Sequence, residues 1–416
     1  MESFFGFVSV LPGAFSTFRW KCIKGRPLNK FLKGAKDEFG MMNKLQTCYD
    51  ANKHLAEDRI MPLEILASED NWKISYVPGA KCLTDAPLSL LGLLKQRRRW
   101  FNGSLFATLH VMSNPGKVTC NNCWGRSFCR NIFFMILYTY MLFITFLSFV
   151  LVGVFYATYS IFLRAVLPSD DDPNIFRVAN VLENVYLVFL FLLVILSTSV
   201  RLEWAMIAFW LSSIILGIFS IVLVVWGILY AIEEEFDFLR IVGFCSYILL
   251  IILPILLNMK HIKICEFIIG SFYIICLAPT YINIISIYAI SNIHNITWGS
   301  RPDTKDRKTQ SKFEQAEKNL EIEYKNFRSN FLLFWLLINI WVGNSVTWIS
   351  RGGFESLIFI LAVLLLCILM FKIVFSSLYM LIDWCRSCRI STNRTSYFKD
   401  VSILVIKLVF YRGWTI

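Results

Sequence analysis

Charge is scarce in this chain of 416 residues: Asp, Glu, Lys and Arg make up 17% of it, where a soluble domain carries about 25%. Histidine is scarcer, with His54, His110, His261 and His294 scattered singly. None stands at finger spacing from the Cys120/Cys123 or Cys385/Cys388 pair, so a zinc finger is excluded and no metal ligand is assigned. The net charge of +12 does not imply nucleic acid. Lys and Arg fall in short stretches beside apolar runs, the pattern that membrane topology produces. No basic stretch precedes the apolar residues 3–15, so no secretory signal peptide is expected there. Internal repeats and low-complexity tracts are also lacking, and with them the repeat architecture of many transporters.

Apolar residues are abundant instead, at 56% of the chain, with aromatics at 16%. Residues 1–130 carry charges every few positions. Beyond them come seven apolar segments at about 132–158, 181–200, 205–232, 239–258, 264–290, 331–349 and 355–382, most of them long enough to cross hydrocarbon, which takes roughly 18 residues or more. Arg126 and Arg130 hold the first entry on the cytosolic side, and Asp170-Asp171-Asp172 lies outside. The basic stretch 301–328 argues for an inner location, which conflicts with a full crossing by 264–290. That segment carries Glu266, Gly270 and Pro279, so it is expected to be re-entrant or interfacial, leaving six crossings.

Within residues 1–130, Phe4 to Val10 predicts a strand stopped by Pro12-Gly13, and Trp72 to Leu83 a strand pair about Pro78-Gly79. Leu55, Ile60, Leu63 and Leu66 have helical spacing, with a break expected at Pro62. Residues 87–113 predict an amphipathic helix on the membrane surface.

Two clusters carry chemistry. Glu57-Asp58-Arg59 sets two acids beside a cation at a helix start, which suits a general base that takes a proton from a hydroxyl. Gln96-Arg97-Arg98-Arg99-Trp100 places three arginines and an indole on the surface helix. Three consecutive residues fan over roughly 200° of a helix, so some of the arginines must point into the protein. A guanidinium grips a diphosphate bidentately, and Trp offers a flat face to a pyranose ring.

These clusters, in this order and followed by membrane segments, resemble chitin synthases, which are family 2 processive glycosyltransferases. "LAEDR" at 55–59 is similar to the family's Glu-Asp-Arg, and "QRRRW" at 96–100 matches its acceptor motif without change. "SVLPGAFS" at 9–16 resembles its channel-mouth loop. "TWGSR" at 297–301 resembles its Trp-Gly motif, with Ser300 where Thr is usual.

The resemblance implies an α-helical polytopic membrane protein preceded by the C-terminal part of a GT-A type α/β glycosyltransferase domain. It implies transfer of N-acetylglucosamine from UDP-GlcNAc to a growing β-1,4 chain that is extruded through the membrane. Asp58 would be the base, supported by Glu57 and Arg59. Gln96, Arg97, Arg98, Arg99, Trp100, Trp298 and Gly299 would hold acceptor, product and diphosphate, while Val10, Leu11, Pro12, Gly13 and Ala14 would gate the channel. A divalent cation, Mg or Mn, is expected for the full enzyme, with its Asp-x-Asp ligands outside this chain. The partners implied are UDP-GlcNAc, the chitin chain, the lipid bilayer and a second copy in a homodimer, with no nucleic acid.

The donor-binding half is not seen before Val10, so the chain is expected to be a C-terminal portion that is inactive alone. The alternative is a non-catalytic paralogue that pairs with a complete synthase. The expected organisation is the rest of the transferase domain at 1–86, interfacial helices at 87–130, membrane region at 131–290, cytosolic motif and charged helix at 291–330, a membrane pair at 331–382 and a basic tail at 383–416. Residues 1–130 are expected in the cytosol and the protein in the plasma membrane.

Overall fold

A computed structural model describes residues 2–11, 15–32, 47–68, 72–77, 80, 82–85, 87–114, 128–166, 173–233, 252, 264–296 and 312–392. In the N-terminal part the helices are α1 (Glu2–Phe5), α2 (Trp20–Ile23), α3 (Arg26–Leu32), α4 (Cys48–His54), α5 (Glu57–Leu66) and α6 (Leu90–Met112). The apolar part follows as α7 (Phe128–Phe149), α8 (Leu151–Val166), α9 (Pro173–Ser199) and α10 (Leu202–Glu233). It continues as α11 (Ile264–Pro279), a π-helical stretch (Thr280–Ile285), α12 (Ser286–Ser291) and α13 (Lys312–Thr392).

Among the described residues five helical runs are long and apolar enough to cross a bilayer: 131–149, 177–199, 202–222, 265–291 and 318–348. This is a multi-pass membrane protein. On α10 the exposed side chains Trp204, Ile207, Leu211, Ile214 and Ile218 recur every three or four residues. Such a stripe suits lipid and would be a liability in water. The run 265–291, expected to be re-entrant, is continuous and long enough to span. The expected segment at 239–258 lies outside the described residues, apart from Ile252.

Helix starts follow local chemistry. The Ser89 side chain caps α6 by accepting from the Gly92 N–H at 3.1 Å, and Thr47 caps α4 through the Asp50 N–H at 3.2 Å. Pro173 opens α9, where its missing N–H is harmless.

Several expectations are corrected. Among the described residues no β-strand forms. Phe4 to Val10 is not a strand but begins as α1, because Phe4 and Phe5 turn into an aromatic cluster with Phe133 of α7 and Phe375 of α13. Gly6, at φ 74°, ends that turn. Residues 72–77 form no strand but are tied to the N-terminal segment by the Ile74 N–H to Gly6 C=O bond of 2.8 Å and the Tyr76 N–H to Ser3 Oγ bond of 2.7 Å. Pro78-Gly79 lies outside the described residues. The segment expected at 132–158 is two helices, broken at Val150.

That break frees the Phe149 carbonyl, which accepts from Trp335 Nε1 at 2.8 Å and Asn339 Nδ2 at 3.2 Å. The Gly153 N–H in turn donates to Asn339 Oδ1 at 2.8 Å. Helices α8 and α13 cross closely here. A Cβ at Gly153 would stand 2.2 Å from the Asn339 carbonyl oxygen. Gly153→Val is therefore expected to destabilise the bundle by about 3 kcal/mol, since backbone cannot yield as a side chain does. Thermal unfolding of the purified protein checks this, with Gly270→Val as the neutral control, because a Cβ there meets nothing within 4 Å.

The two segments expected at 331–349 and 355–382 form one helical run, α13, and it cannot be straight. The Phe149 ring contacts Phe334, while Tyr140, nine residues earlier on α7, stacks on Phe371 at 5.0 Å. Nine residues of helix rise about 14 Å, whereas Phe334 to Phe371 would rise about 56 Å. The run must bend back between them, and Gly352-Gly353 stands in that interval. One further buried tie joins α8 and α9. Arg164 meets both Glu183 carboxylate oxygens, at 2.7 and 2.8 Å, and Ser160 Oγ donates to the same carboxylate at 2.6 Å.

Candidate functional site

Helices α4 and α5 are not separated at Pro62, where the sequence predicts a break, but at Leu55-Ala56. Gly103 on α6 makes that break a packing point: a Cβ there would lie 3.1 Å from Ala56 Cβ and 3.3 Å from Ala56 N. So α6 sits against the start of α5, where Glu57 and Asp58 occupy the first turn. Acids there meet the positive end of the helix.

Pro62 lies inside α5 without ending it. It has no N–H for the carbonyl four residues earlier, which is that of Asp58. That free carbonyl accepts the Leu11 N–H at 3.0 Å. The apparent helix breaker thus supplies an attachment point for the loop that begins at Ser9-Val10-Leu11.

Burial raises the Asp58 carboxyl above its ordinary pKa, and the Arg59 and Arg99 cations oppose it. Burial also raises Glu57; neighbouring Asp58 adds to this and Arg99 opposes it. Arg99 therefore faces both acids, so two motifs some forty residues apart in sequence meet at one place. Burial lowers Arg59, countered by Asp58 and Glu2.

The other arginines fan out as the helix requires. Arg98 is 2% exposed and faces Tyr288 of α12. Arg97 turns outward and lays its guanidinium over the Trp100 ring, 4.6 Å from the centroid. Trp100 is 45% exposed, which leaves part of its face available. Gln96 is half-buried on the same helix. Val10 and Leu11 are described; Pro12, Gly13, Ala14, Trp298 and Gly299 lie outside the described residues.

Sequence reasoning missed the pegs that hold this site to the membrane bundle. Asn102 Nδ2 donates to the Ala289 carbonyl at 2.7 Å. Asn52 Nδ2 donates to Cys48 O and Ile293 O, both at 2.9 Å. Both asparagines are at most 1% exposed, so each bond is made away from water. A polar residue at an inward helical position is the signal that could have found them. Nearby, burial pushes the Cys48 thiol up to about 12, so it is not a nucleophile. Burial, with Arg328, Lys325 and Arg98 beside it, brings His294 down to about 4, so it stays neutral at physiological pH.

No group of three His, Cys, Asp or Glu side chains converges among the described residues. They do not assemble the oxygen-rich donor set that a Mg or Mn ion needs. What they do assemble is a half-buried carboxylate pair, Glu57 and Asp58, in the field of Arg99, with Leu11 bound to the Asp58 carbonyl.

Residues 1–115 match the family model of the chitin synthase-like glycosyltransferase domain. Along most of its length the chain is similar to chitin synthases. It is 27% identical to chitin synthase 1 of Phytophthora sojae over 378 residues, covering 82% of this chain and 40% of the relative. It is 27% identical to chitin synthase 2 of Mycosarcoma maydis over 327 residues, covering 72% and 30%. Against chitin synthase 7 of Cryptococcus neoformans it is 30% identical over 330 residues, covering 72% and 35%. The chain spans less than half the length of the curated relatives it matches.

Proposed function

This chain belongs to the chitin synthase family, and from that premise we propose that it forms the acceptor and product side of a UDP-GlcNAc-dependent synthase that extrudes a β-1,4 polymer through its own membrane helices. The observation that carries the reading is the meeting of three separate segments at Asp58. Leu11 donates to its carbonyl, and the Arg59 and Arg99 cations act on its carboxylate.

In the proposed step, the Asp58 carboxylate accepts the proton of the acceptor sugar's 4-hydroxyl. The hydroxyl oxygen attacks C1 of the donor N-acetylglucosamine, the bond from C1 to the diphosphate oxygen breaks, and UDP departs with that electron pair. C1 inverts in the single displacement. Arg99 is placed to face the negative charge that develops, and Trp100 offers a ring face to the terminal sugar. A divalent cation would neutralise the leaving diphosphate; the described residues do not supply its ligands and act on the acceptor side alone. In this reading residues 1–130 face the cytosol, where UDP-GlcNAc is available, and the protein sits in the plasma membrane.

The test is incorporation of labelled GlcNAc from UDP-GlcNAc into chitinase-sensitive polymer by membranes carrying the full chain. Polymer above the background of empty membranes supports the reading. Polymer that rises only when a complete synthase is co-expressed supports a non-catalytic partner instead. No change in either case sinks both.

A further inference from the structure

The Glu2 carboxylate takes two hydrogen bonds from Ser9, from the backbone N–H at 3.2 Å and from the hydroxyl at 2.5 Å. Two residues after Ser9, the Leu11 N–H is bound to the Asp58 carbonyl that Pro62 leaves open. These contacts make one connected path, from Glu2 to Ser9, along the chain to Leu11 and across to Asp58. The Arg59 cation lies in the field of both the Asp58 and Glu2 carboxylates.

This path is anchored from outside. Phe4 and Phe5 pack on Phe133 and Phe375. Ser3 Oγ accepts the Tyr76 N–H at 2.7 Å. Glu2 therefore stands on a fixed turn, and the loop hangs from it. A residue needed only to close the turn after α1 would serve equally well uncharged. An ionised carboxylate adds charge-assisted bonds to Ser9 and a second anion for Arg59.

We infer that Glu2 is a positioning residue: it holds the Val10-Leu11 segment against Asp58. The functional half of this inference rests on the reaction proposed above; the tether does not. The charged and titratable groups near these contacts are Glu2, Glu57, Asp58, Arg59 and Arg99, with Tyr140 facing Glu2 from α7.

The first readout is hydrogen exchange of the full chain in lipid nanodiscs. Glu2→Gln keeps the shape but loses the charge, and is expected to speed exchange at Ser9 and Leu11 about tenfold. Glu2→Asp is expected to do less. Pro62→Ala gives the Asp58 carbonyl a competing donor, so exchange should rise at Leu11 and not at Ser9. Unchanged exchange across α6 shows that the variants are folded. If Ser9 and Leu11 exchange in Glu2→Gln as in the parent protein, the tether is wrong.

The second readout is the pH profile of polymer formation. Burial is the largest cause of the raised Asp58 pKa. With the Glu2 tether lost, the Val10-Leu11 segment covers Asp58 less and its pKa falls, so the acidic limb should move to lower pH, and Glu2→Asp should return it. A limb that stays in place overturns the positioning of that segment against Asp58. If the parent protein makes no polymer, the proposed reaction fails, and the exchange result still decides the tether.

Discussion

Asp58→Asn is expected to lower the initial rate of polymer formation about 10³-fold to 10⁴-fold, while leaving the affinity for UDP-GlcNAc unchanged. The amide has the size of the carboxylate and keeps the backbone carbonyl that holds Leu11. It therefore preserves the loop tether and the packing of α5. What it removes is the capacity to accept a proton, and a well-placed general base is worth about 10²-fold to 10⁴-fold. The upper range is expected because burial raises the Asp58 pKa and so strengthens it as a base, with Arg59 and Arg99 opposing that rise. Initial rates with labelled UDP-GlcNAc, beside equilibrium binding of the nucleotide sugar, separate the two effects. A variant that makes polymer at the parent rate removes Asp58 from the base role and leaves Glu57 as the candidate.

Much of this arrangement is written in run lengths and motif order. The apolar stretches announce a multi-pass membrane protein, and the leucines around Gln96 to Trp100 announce a helix, which forms as α6. The fan of three arginines foretells that one of them turns inward, and Arg98 does so. What escapes sequence reading is the partner of each exception. Pro62 and Pro279 look like breaks, yet both sit inside helical runs. Pro62 frees the Asp58 carbonyl, which takes the Leu11 N–H. Pro279 frees the Ile275 carbonyl, which takes the Ser220 hydroxyl at 2.8 Å. A proline is tolerated where another segment supplies the missing donor, and that donor lies far away in the chain.

The failed strand at Phe4 to Val10 has the same origin. Its residues suit a pleated, half-buried surface, but the burial on offer is an aromatic cluster between α7 and α13. Gly103 and Gly153 carry no local signal at all. Their value is the absence of a Cβ where a second backbone passes within van der Waals contact.

Arg99→Ala is expected to reduce kcat/KM about 10²-fold to 10³-fold near neutral pH and to move the acidic limb of the pH profile upward. The first effect follows from losing a fixed cation aimed at developing charge. The second follows from the site's own electrostatics. Burial raises both Glu57 and Asp58, and Arg99 opposes that rise at each. With Arg99 gone, the Asp58 pKa climbs. The base works deprotonated, so a higher pKa means that a higher pH is needed to reach full activity, and part of the lost rate should return as the pH is raised. Arg99→Lys keeps the charge without the planar fork. It should leave the limb near its parent position while still losing rate, because a point charge cannot grip a diphosphate in two places. The shift is opposite in sign to that expected for Glu2→Gln, which loosens the segment that covers Asp58. Steady-state rates for the three variants across one pH series therefore test whether Asp58 is the titrating group. Limbs that move in the same direction for Arg99→Ala and Glu2→Gln would show that the titrating group is not Asp58.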